Sequence, residues 1–370
     1  MIKAAVLLLV MMLCMSGITG CGGTYGNTWN GISNQSFYFD TMIEITIYGL
    51  EEGIPSDDSD EAFEEASKEI IADTFKLLSD YEKLLSRTVD GSDIDRINKA
   101  GGEPVEVSGD TLEVIRKGME FGEISGGAFD ITVGKASGLW DFHEGIGDEE
   151  EVSLPDPKDL EEASKHIDYT KIVIDEDAST VKLEDPEMML DLGGIAKGFI
   201  ADMASEYLRT RGVTGAIINL GGNIETVGGK PQGTAPDSEI SDFNIGIRDP
   251  REEGNALLGI YPSKDVTVVT SGTYERYIEV DGKRYHHILD PSTGYPVDTD
   301  VLQVSIIAEA GRSVDCDGLS TTCLALGTER GTDLIRKLDE EGTFGHIEAI
   351  FVTVDGEIIM TDDETDFERY

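Results

Sequence analysis

The sequence predicts an α+β fold: mixed, mainly antiparallel sheets with interspersed helices, in a single large domain or two closely joined lobes. Three observations carry this expectation. The 370 residues are 39% hydrophobic, which is enough for a sizeable core and argues against general disorder. Apolar runs of strand length recur as local pairs, as at 171–175 and 181–184. Between such runs lie segments whose apolar residues return every three or four positions, the spacing of a helix buried on one side. Helices set among local strand pairs favour α+β over a doubly wound parallel sheet.

Taken in order, residues 37–48 alternate well enough for an opening strand whose partners lie far away in sequence. Residues 51–61 are acidic with Gly, Pro and Ser, the composition of a solvated loop. From Ala62 onward, Phe63, Ala66, Ile70, Leu77, Leu78, Tyr81 and Leu85 define one long amphipathic helix. Ser108 or Asp110 caps a second, carrying Leu112, Ile115 and Met119 and ending near Gly126 and Gly127. Another acidic, proline-bearing loop covers about 144–159. Residues 171–175 and 181–184 form a hairpin, and 188–192 a buried strand running into a glycine turn. The next helix carries Ile195, Phe199, Met203 and Tyr207 and stops at Gly212. Later strands fall at 216–220, 243–248, 266–270, 277–280 and 301–308, and no internal repeat is present.

The amino terminus has the layout of a secretory signal: Lys3, an apolar run over 4–13, then small residues over 16–20. It is too short to span a membrane stably. The segment ends at Ile18-Thr19-Gly20-Cys21-Gly22, which resembles the bacterial lipobox, with Cys21 as the lipidated first residue of the mature chain. The expected organisation is a signal peptide at 1–20, a lipid-anchored tether at 21–36 and the folded domain at 37–370, held outside the cytoplasm on the cell membrane. Apart from Cys14 and Cys21, the cysteines are Cys316 and Cys323, seven apart on an expected helix and too distant to bridge, so they read as packing residues. With 74 acidic against 29 basic residues the net charge is −45, which repels nucleic acid unless a local basic pocket intervenes.

Three constellations can carry chemistry. Residues 191–198, Asp-Leu-Gly-Gly-Ile-Ala-Lys-Gly, place a glycine turn before a helix whose first turn holds Lys197, so free N–H groups, a positive dipole end and a cation converge where a phosphate could sit. The spacing is not that of a P-loop. Residues 315–321 put Asp317 and Thr321 four apart near a helix start, on one face; Asp317 reads either as an N-cap or as an oxygen ligand for a hard cation such as Mg²⁺. His286 and His287 precede Asp290-Pro291-Ser292-Thr293-Gly294, a turn able to fix one of them as a general base, with His143, His166 and His346 weaker candidates. Ser271 lacks the surroundings of a GxSxG nucleophile.

Together and in this order, Asp40-Thr41-Met42, Gly127-Ala128-Phe129-Asp130, the 191–198 motif, 219–223, 270–276, 287–294 and 317–321 resemble the ApbE family of flavin transferases, from about residue 37 to the end. The resemblance implies a FAD:protein FMN transferase that uses Mg²⁺ and, as donor substrate, FAD. It implies metal ligation by Asp317, Thr321 and the Gly194 carbonyl. FAD contacts would come from Met42, Ala128, Phe129, Asp130, Asp191, Lys197 and Leu289, and His287 would deprotonate a Ser or Thr hydroxyl of a partner protein, with AMP leaving. The expected acceptor is a flavoprotein subunit of a membrane redox complex. Two positions depart from relatives: Leu85-Ser86-Arg87-Thr88 lacks a Tyr that many have and that is expected to stack on flavin, and Ser320 stands where some carry an acid before the metal-site Thr. A Mg²⁺-dependent FAD pyrophosphatase, with water in place of the protein hydroxyl, is the alternative on the same scaffold. A non-catalytic flavin- or solute-binding lipoprotein is a further one.

Overall fold

The computed structural model describes residues 30–370 apart from 58, 141, 143–152, 233–238, 253 and 255. The signal segment, Cys21, His143 and most of the 144–159 loop lie outside the described residues. An eight-stranded sheet forms the frame: β1 Ile32–Tyr38, β2 Thr41–Leu50, β3 Val213–Leu220, β4 Asn223–Gly228, β5 Val266–Gly272, β6 Val301–Glu309, β7 Ile347–Thr353 and β8 Ile358–Met360. Each pairs antiparallel with the next, so order in the sheet is order in the chain. The expected α+β architecture holds, and the first strand finds its distant partner across β2 and β3, where Ile45 faces Ile218.

The helices follow in chain order as α1 Asp60–Leu85, α2 Asp93–Lys99, α3 Gly109–Ser125, α4 Gly134–Ser137, α5 Pro157–Ser164, α6 Ala196–Thr210, α7 Ser313–Leu326 and α8 Thr328–Glu341. One sheet face is covered by α1, α6, α7 and α8, the other by a small sheet of Phe243–Arg248, Leu257–Ser263 and Glu368–Arg369. The period of two in β2 separates these layers. Ile43, Ile45 and Ile47 are fully buried under the helices, while Tyr48 packs on the opposite side against Phe243. Each such isoleucine contributes about 1.5–3 kcal/mol by leaving water. Cys316 and Cys323 are buried free thiols in α7, packing residues as expected.

Three local readings change. Residues 37–48 are not one strand but the end of β1, a two-residue hairpin turn and most of β2, with Tyr38 opposite Thr41 and left-handed φ values of 53° at Phe39 and 56° at Asp40. Sequence gives little sign of it, because a two-residue turn of this kind usually uses Asn-Gly. Here the Phe39 N–H donates to Glu82 Oε1 at 2.7 Å, an anchor from α1 that only the fold supplies. The sheet also starts at Ile32, within the stretch expected to be tether. Residues 188–192 are extended but join no sheet beyond a single bridge of Met189 to Val133. The Asn98 side chain clamps Leu190 at both N and O, and the Asp191 N–H goes to the Ile131 carbonyl, so the backbone is satisfied without a ladder. Inside the second acidic loop, Pro157 starts α5 because Asp156 caps it.

The helices α6 and α7 cap each other. Neither has a capping side chain of its own, since Ile195 and Arg312 occupy the N-cap positions. Asp317 lies in the second turn of α7, so it is not an N-cap of its own helix; its Oδ2 accepts the Gly198 N–H of α6 at 2.9 Å. In return Asp202 of α6 accepts the Ser313 and Val314 N–H groups of α7 at 2.8 and 2.9 Å. Gly198 stands at the crossing, where a Cβ would press on the Ser313 carbonyl and the Asp317 Cβ. Gly198→Ala should therefore lower the unfolding free energy by about 1–3 kcal/mol. Urea denaturation reads this directly, and an unchanged midpoint would mean the helices do not meet there.

Candidate functional site

A cavity of about 560 Å³ opens at one end of the main sheet, within the size range of small-molecule sites. Its rim is built from chain reversals: Asp40 and Thr41 from the β1–β2 turn, Gly221 and Gly222 from the β3–β4 turn, and Thr270 and Ser271 at the end of β5. The two glycines take φ of 60° and 104°, which other residues rarely adopt. Its walls bring together residues that are far apart in sequence: Ala128, Phe129, Asp130, Asp191, Gly194, Lys197, His287, Leu289 and Thr321. Nine of the expected site residues thus share one cavity. Met42 is not among the lining residues; it is 55% exposed beside Thr41, with its cross-strand partner Phe37 at 56%. Asp317 is buried behind Lys197, whose Nζ is 3.5 Å from its Oδ1.

Charge in the cavity differs from charge on the chain. Arg87, Lys197, Arg248 and Arg276 meet Asp40, Asp130, Asp191 and Glu275, a balance of four and four on a molecule of net −45. Two of those acids are already committed. Asp130 accepts from Thr132 N and Oγ1 at 2.8 and 2.6 Å and from Tyr169 N at 2.9 Å, and burial lifts its carboxyl above the ordinary value. It therefore shapes the loop that carries Phe129. Asp191 accepts from Ser137 Oγ at 2.7 Å and Gly193 N at 2.9 Å and pairs with Arg87 Nε at 2.9 Å. The cavity thus offers cations and the N-terminus of α6 to an anion.

Gly194 lies against Thr321, since a Cβ on it would be 3.6 Å from Thr321 Oγ1. Asp317 is one turn before Thr321 on α7. One carboxylate, one hydroxyl and a nearby glycine backbone make a hard, all-oxygen set, which suits Mg²⁺ when waters and substrate phosphates supply the rest. Among the described residues no group of three or more His, Cys, Asp or Glu gathers to hold a metal. Ser320 turns inward: its hydroxyl is fully buried, 2.8 Å from Ser271 Oγ.

The histidine pair separates by its hydrogen bonds. His286 uses Nε2 toward the Val297 carbonyl at 3.2 Å and Nδ1 toward Ile288 N at 3.3 Å, so both nitrogens are structural. His287 lines the cavity and directs Nδ1 at the Arg276 carbonyl, 3.2 Å away. Because a carbonyl only accepts, Nδ1 carries the proton and Nε2 keeps a lone pair. Burial, then the charge of Arg276, depresses the His287 imidazole to about 3, with Lys197 adding to the effect. The expected Asp290 turn forms, with Gly294 N bonded to the Asp290 carbonyl at 2.8 Å and Trp140 Nε1 to the Gly294 carbonyl at 2.8 Å. His166 and His346 instead face Asp185 and Asp339, outside the cavity lining. Sequence reasoning missed Arg248, Trp140 and Phe142 as wall residues, and read 85–88 for an absent Tyr rather than for Arg87.

Comparison with known proteins agrees over most of the chain. The model of the ApbE family matches residues 39–351. A Treponema pallidum protein named "FAD:protein FMN transferase" is 35% identical over 356 residues, covering 94% of this chain and 90% of its own. One of the same name from Klebsiella pneumoniae is 37% identical over 290 residues, covering 78% and 83%. The crystal structure of an ApbE protein from Thermotoga maritima superimposes with a TM-score of 0.74 at 29% identity, covering 91% of this chain and 99% of that one. For the free protein, the ring resonances of His287 should titrate near pH 3, far below an ordinary histidine. Since its folded value lies below its unfolded one, this residue's share of stability is present above about pH 6.5 and is lost as pH falls toward 3. An NMR titration showing protonation near neutrality would contradict the geometry.

Proposed function

The chain belongs to the ApbE family, and on that premise we propose that it transfers FMN from FAD to a Ser or Thr hydroxyl of a partner protein in a Mg²⁺-dependent step that releases AMP. The observation that carries the reading is the convergence of Lys197, Thr321, Gly194 and His287 on one cavity whose charge is balanced within a strongly acidic chain. Mg²⁺ would be held by Asp317, Thr321 and the Gly194 carbonyl, and when bound it neutralises charge on the diphosphate.

The protein's own groups account for the rest. Lys197, in the first turn of α6, meets the diphosphate with a point charge beside the helix N-terminus. The 128–130 loop, Asp191 and Leu289 shape the FAD site, with Met42 at its outer edge. The acceptor hydroxyl attacks the FMN phosphorus; a P–O bond forms as the bond to the bridging oxygen breaks, AMP leaves with that oxygen, and His287 Nε2 takes the hydroxyl proton. An imidazole held near 3 is a weak base in the free protein. Burial does most to hold it down and Arg276 and Lys197 add to it; an anionic diphosphate beside those two cations offsets their share, so the donor substrate itself raises the basicity of His287. The acceptor is a flavoprotein subunit of a membrane redox complex, and the enzyme is a lipoprotein anchored through Cys21 to the extracytoplasmic side of the cell membrane.

Asp317→Ala should abolish both FAD turnover and acceptor labelling, because it removes the one carboxylate of the metal set. His287→Ala should cut labelling by about 100-fold or more while leaving FAD binding intact, as flavin fluorescence reports. Incubation with FAD and Mg²⁺, with and without an acceptor, separates transferase from pyrophosphatase: free FMN with no covalent label would overturn the transfer reading. Separately, Cys21→Ser should move the protein from the membrane fraction to the soluble one, and unchanged membrane retention would refute lipidation at that residue.

A further inference from the structure

Asp202 and Glu225 take no part in the chemistry above, yet they face one another deep in the structure. Glu225, on β4, has no exposed surface, and Asp202, on α6, is 9% exposed. Both oxygens of Asp202 are engaged by N–H groups of the first turn of α7. Glu225 Oε1 accepts the Gly311 N–H at 3.0 Å and the Ser205 hydroxyl also faces this carboxylate, but Oε2 has no hydrogen-bond partner. Two ionised carboxylates in contact under these conditions would be strongly unfavourable. Nearby cations have partners of their own, although the charge of Arg209 still reaches Glu225 and favours its ionised form. Arg209 pairs with Asp265 at 2.7 Å, and Arg312 and Lys117 pair with Asp315 at 3.2 and 2.8 Å. Glu206 and Glu309 at the rim, and the buried Cys316 thiol, add no positive charge.

We propose that Asp202 and Glu225 share a single proton in a hydrogen bond between the two carboxyls, and that the pair acts as a positioning device for α7 and the residues it bears. One proton supplies the donor that a contact between two carboxylates lacks, and the single negative charge left on the pair lies beside a helix N-terminus, which favours it. Burial raises both carboxyls above the ordinary range; the charge of Glu225 adds to the rise of Asp202, while hydrogen bonds with Ser205, Asp202 and Gly311 temper that of Glu225. Because Asp202 grips the start of α7, the proton sets where Asp317 and Thr321 stand against the turn at 193–197. That last consequence rests on the metal-site reading above; the shared proton does not.

Glu225→Gln tests it, since an amide keeps an acceptor for Gly311 and presents a permanent N–H donor to Asp202. Folded values raised above unfolded ones contribute stability that is intact below about pH 4.5, the ordinary glutamate value, and is lost as pH rises through the folded value. The variant lacks this loss, so its Tm relative to wild type should rise by several degrees between about pH 5 and about pH 9. A protonated-carboxyl infrared band of wild type at neutral pH should vanish in Glu225→Gln. Parallel Tm profiles, or identical infrared spectra, would overturn the shared proton. If the variant does not fold, wild type decides: a carboxyl band that titrates away together with thermal stability upholds the proposal, and its absence at neutral pH refutes it. Flavin-fluorescence titration with FAD and Mg²⁺ then tests the positioning role. Wild-type affinity should fall at alkaline pH while Glu225→Gln holds, and equal profiles would remove that role without touching the function proposed above.

Discussion

The reciprocal capping of α6 and α7 is the constraint on which the site depends. A helix start leaves unpaired N–H groups that must find acceptors, and in both helices the acceptor comes from the other. Asp317 therefore serves two masters. One oxygen closes α6 beside Lys197 and the other remains 3.5 Å from that lysine, next to the cavity. Moving either helix would undo the cap of its neighbour and separate the turn at 193–197 from Thr321. Glycine at 198 permits the contact, and glycine at 318 lets Phe121 pack close on the other side of α7. Phe121 in turn meets Phe129 at 6.0 Å, joining the cavity wall to the core.

Electrostatics sharpen the same arrangement. A chain of −45 repels anions from most of its surface, so an anionic substrate is favoured where acids are held by internal donors and several cations gather. Asp130 and Asp191 show how this is done: their oxygens are taken up by Thr132, Tyr169, Ser137, Gly193 and Arg87. The cations around His287 then tune it through their distance to whatever charge enters.

Much of the fold could be read directly from the sequence. The spacing of Phe63, Ile70, Leu78 and Leu85 gave α1, Ser108 its cap on α3, and the 172–183 hairpin its two short apolar runs. The misread places are those where local pattern and tertiary contact disagree. Phe39 and Asp40 reverse the chain because Glu82 holds them, and residues 188–192 have a strand's composition but a side-chain clamp from Asn98 instead of a neighbour strand. Asp317 near a helix start looked like either cap or ligand; it caps, but a helix 119 residues away. The roles of Arg87 and Arg248 had no local signature, since a surface arginine and a cavity arginine look alike until the walls assemble.

The agreement between chain order and sheet order has a consequence for synthesis. The β1–β2 hairpin emerges first, but the partner of β2 is β3, and residues 51–212 lie between them. Closing so long a loop adds little entropy beyond that of a shorter one, so the native pairing is thermodynamically undemanding. Kinetically the case is different, because pairings between distant segments form slowly. Until Val213–Leu220 has left the ribosome, β2 shows an unpaired edge. A nascent chain halted before that point is therefore the form most open to aggregation, and the one for which a holding chaperone matters most.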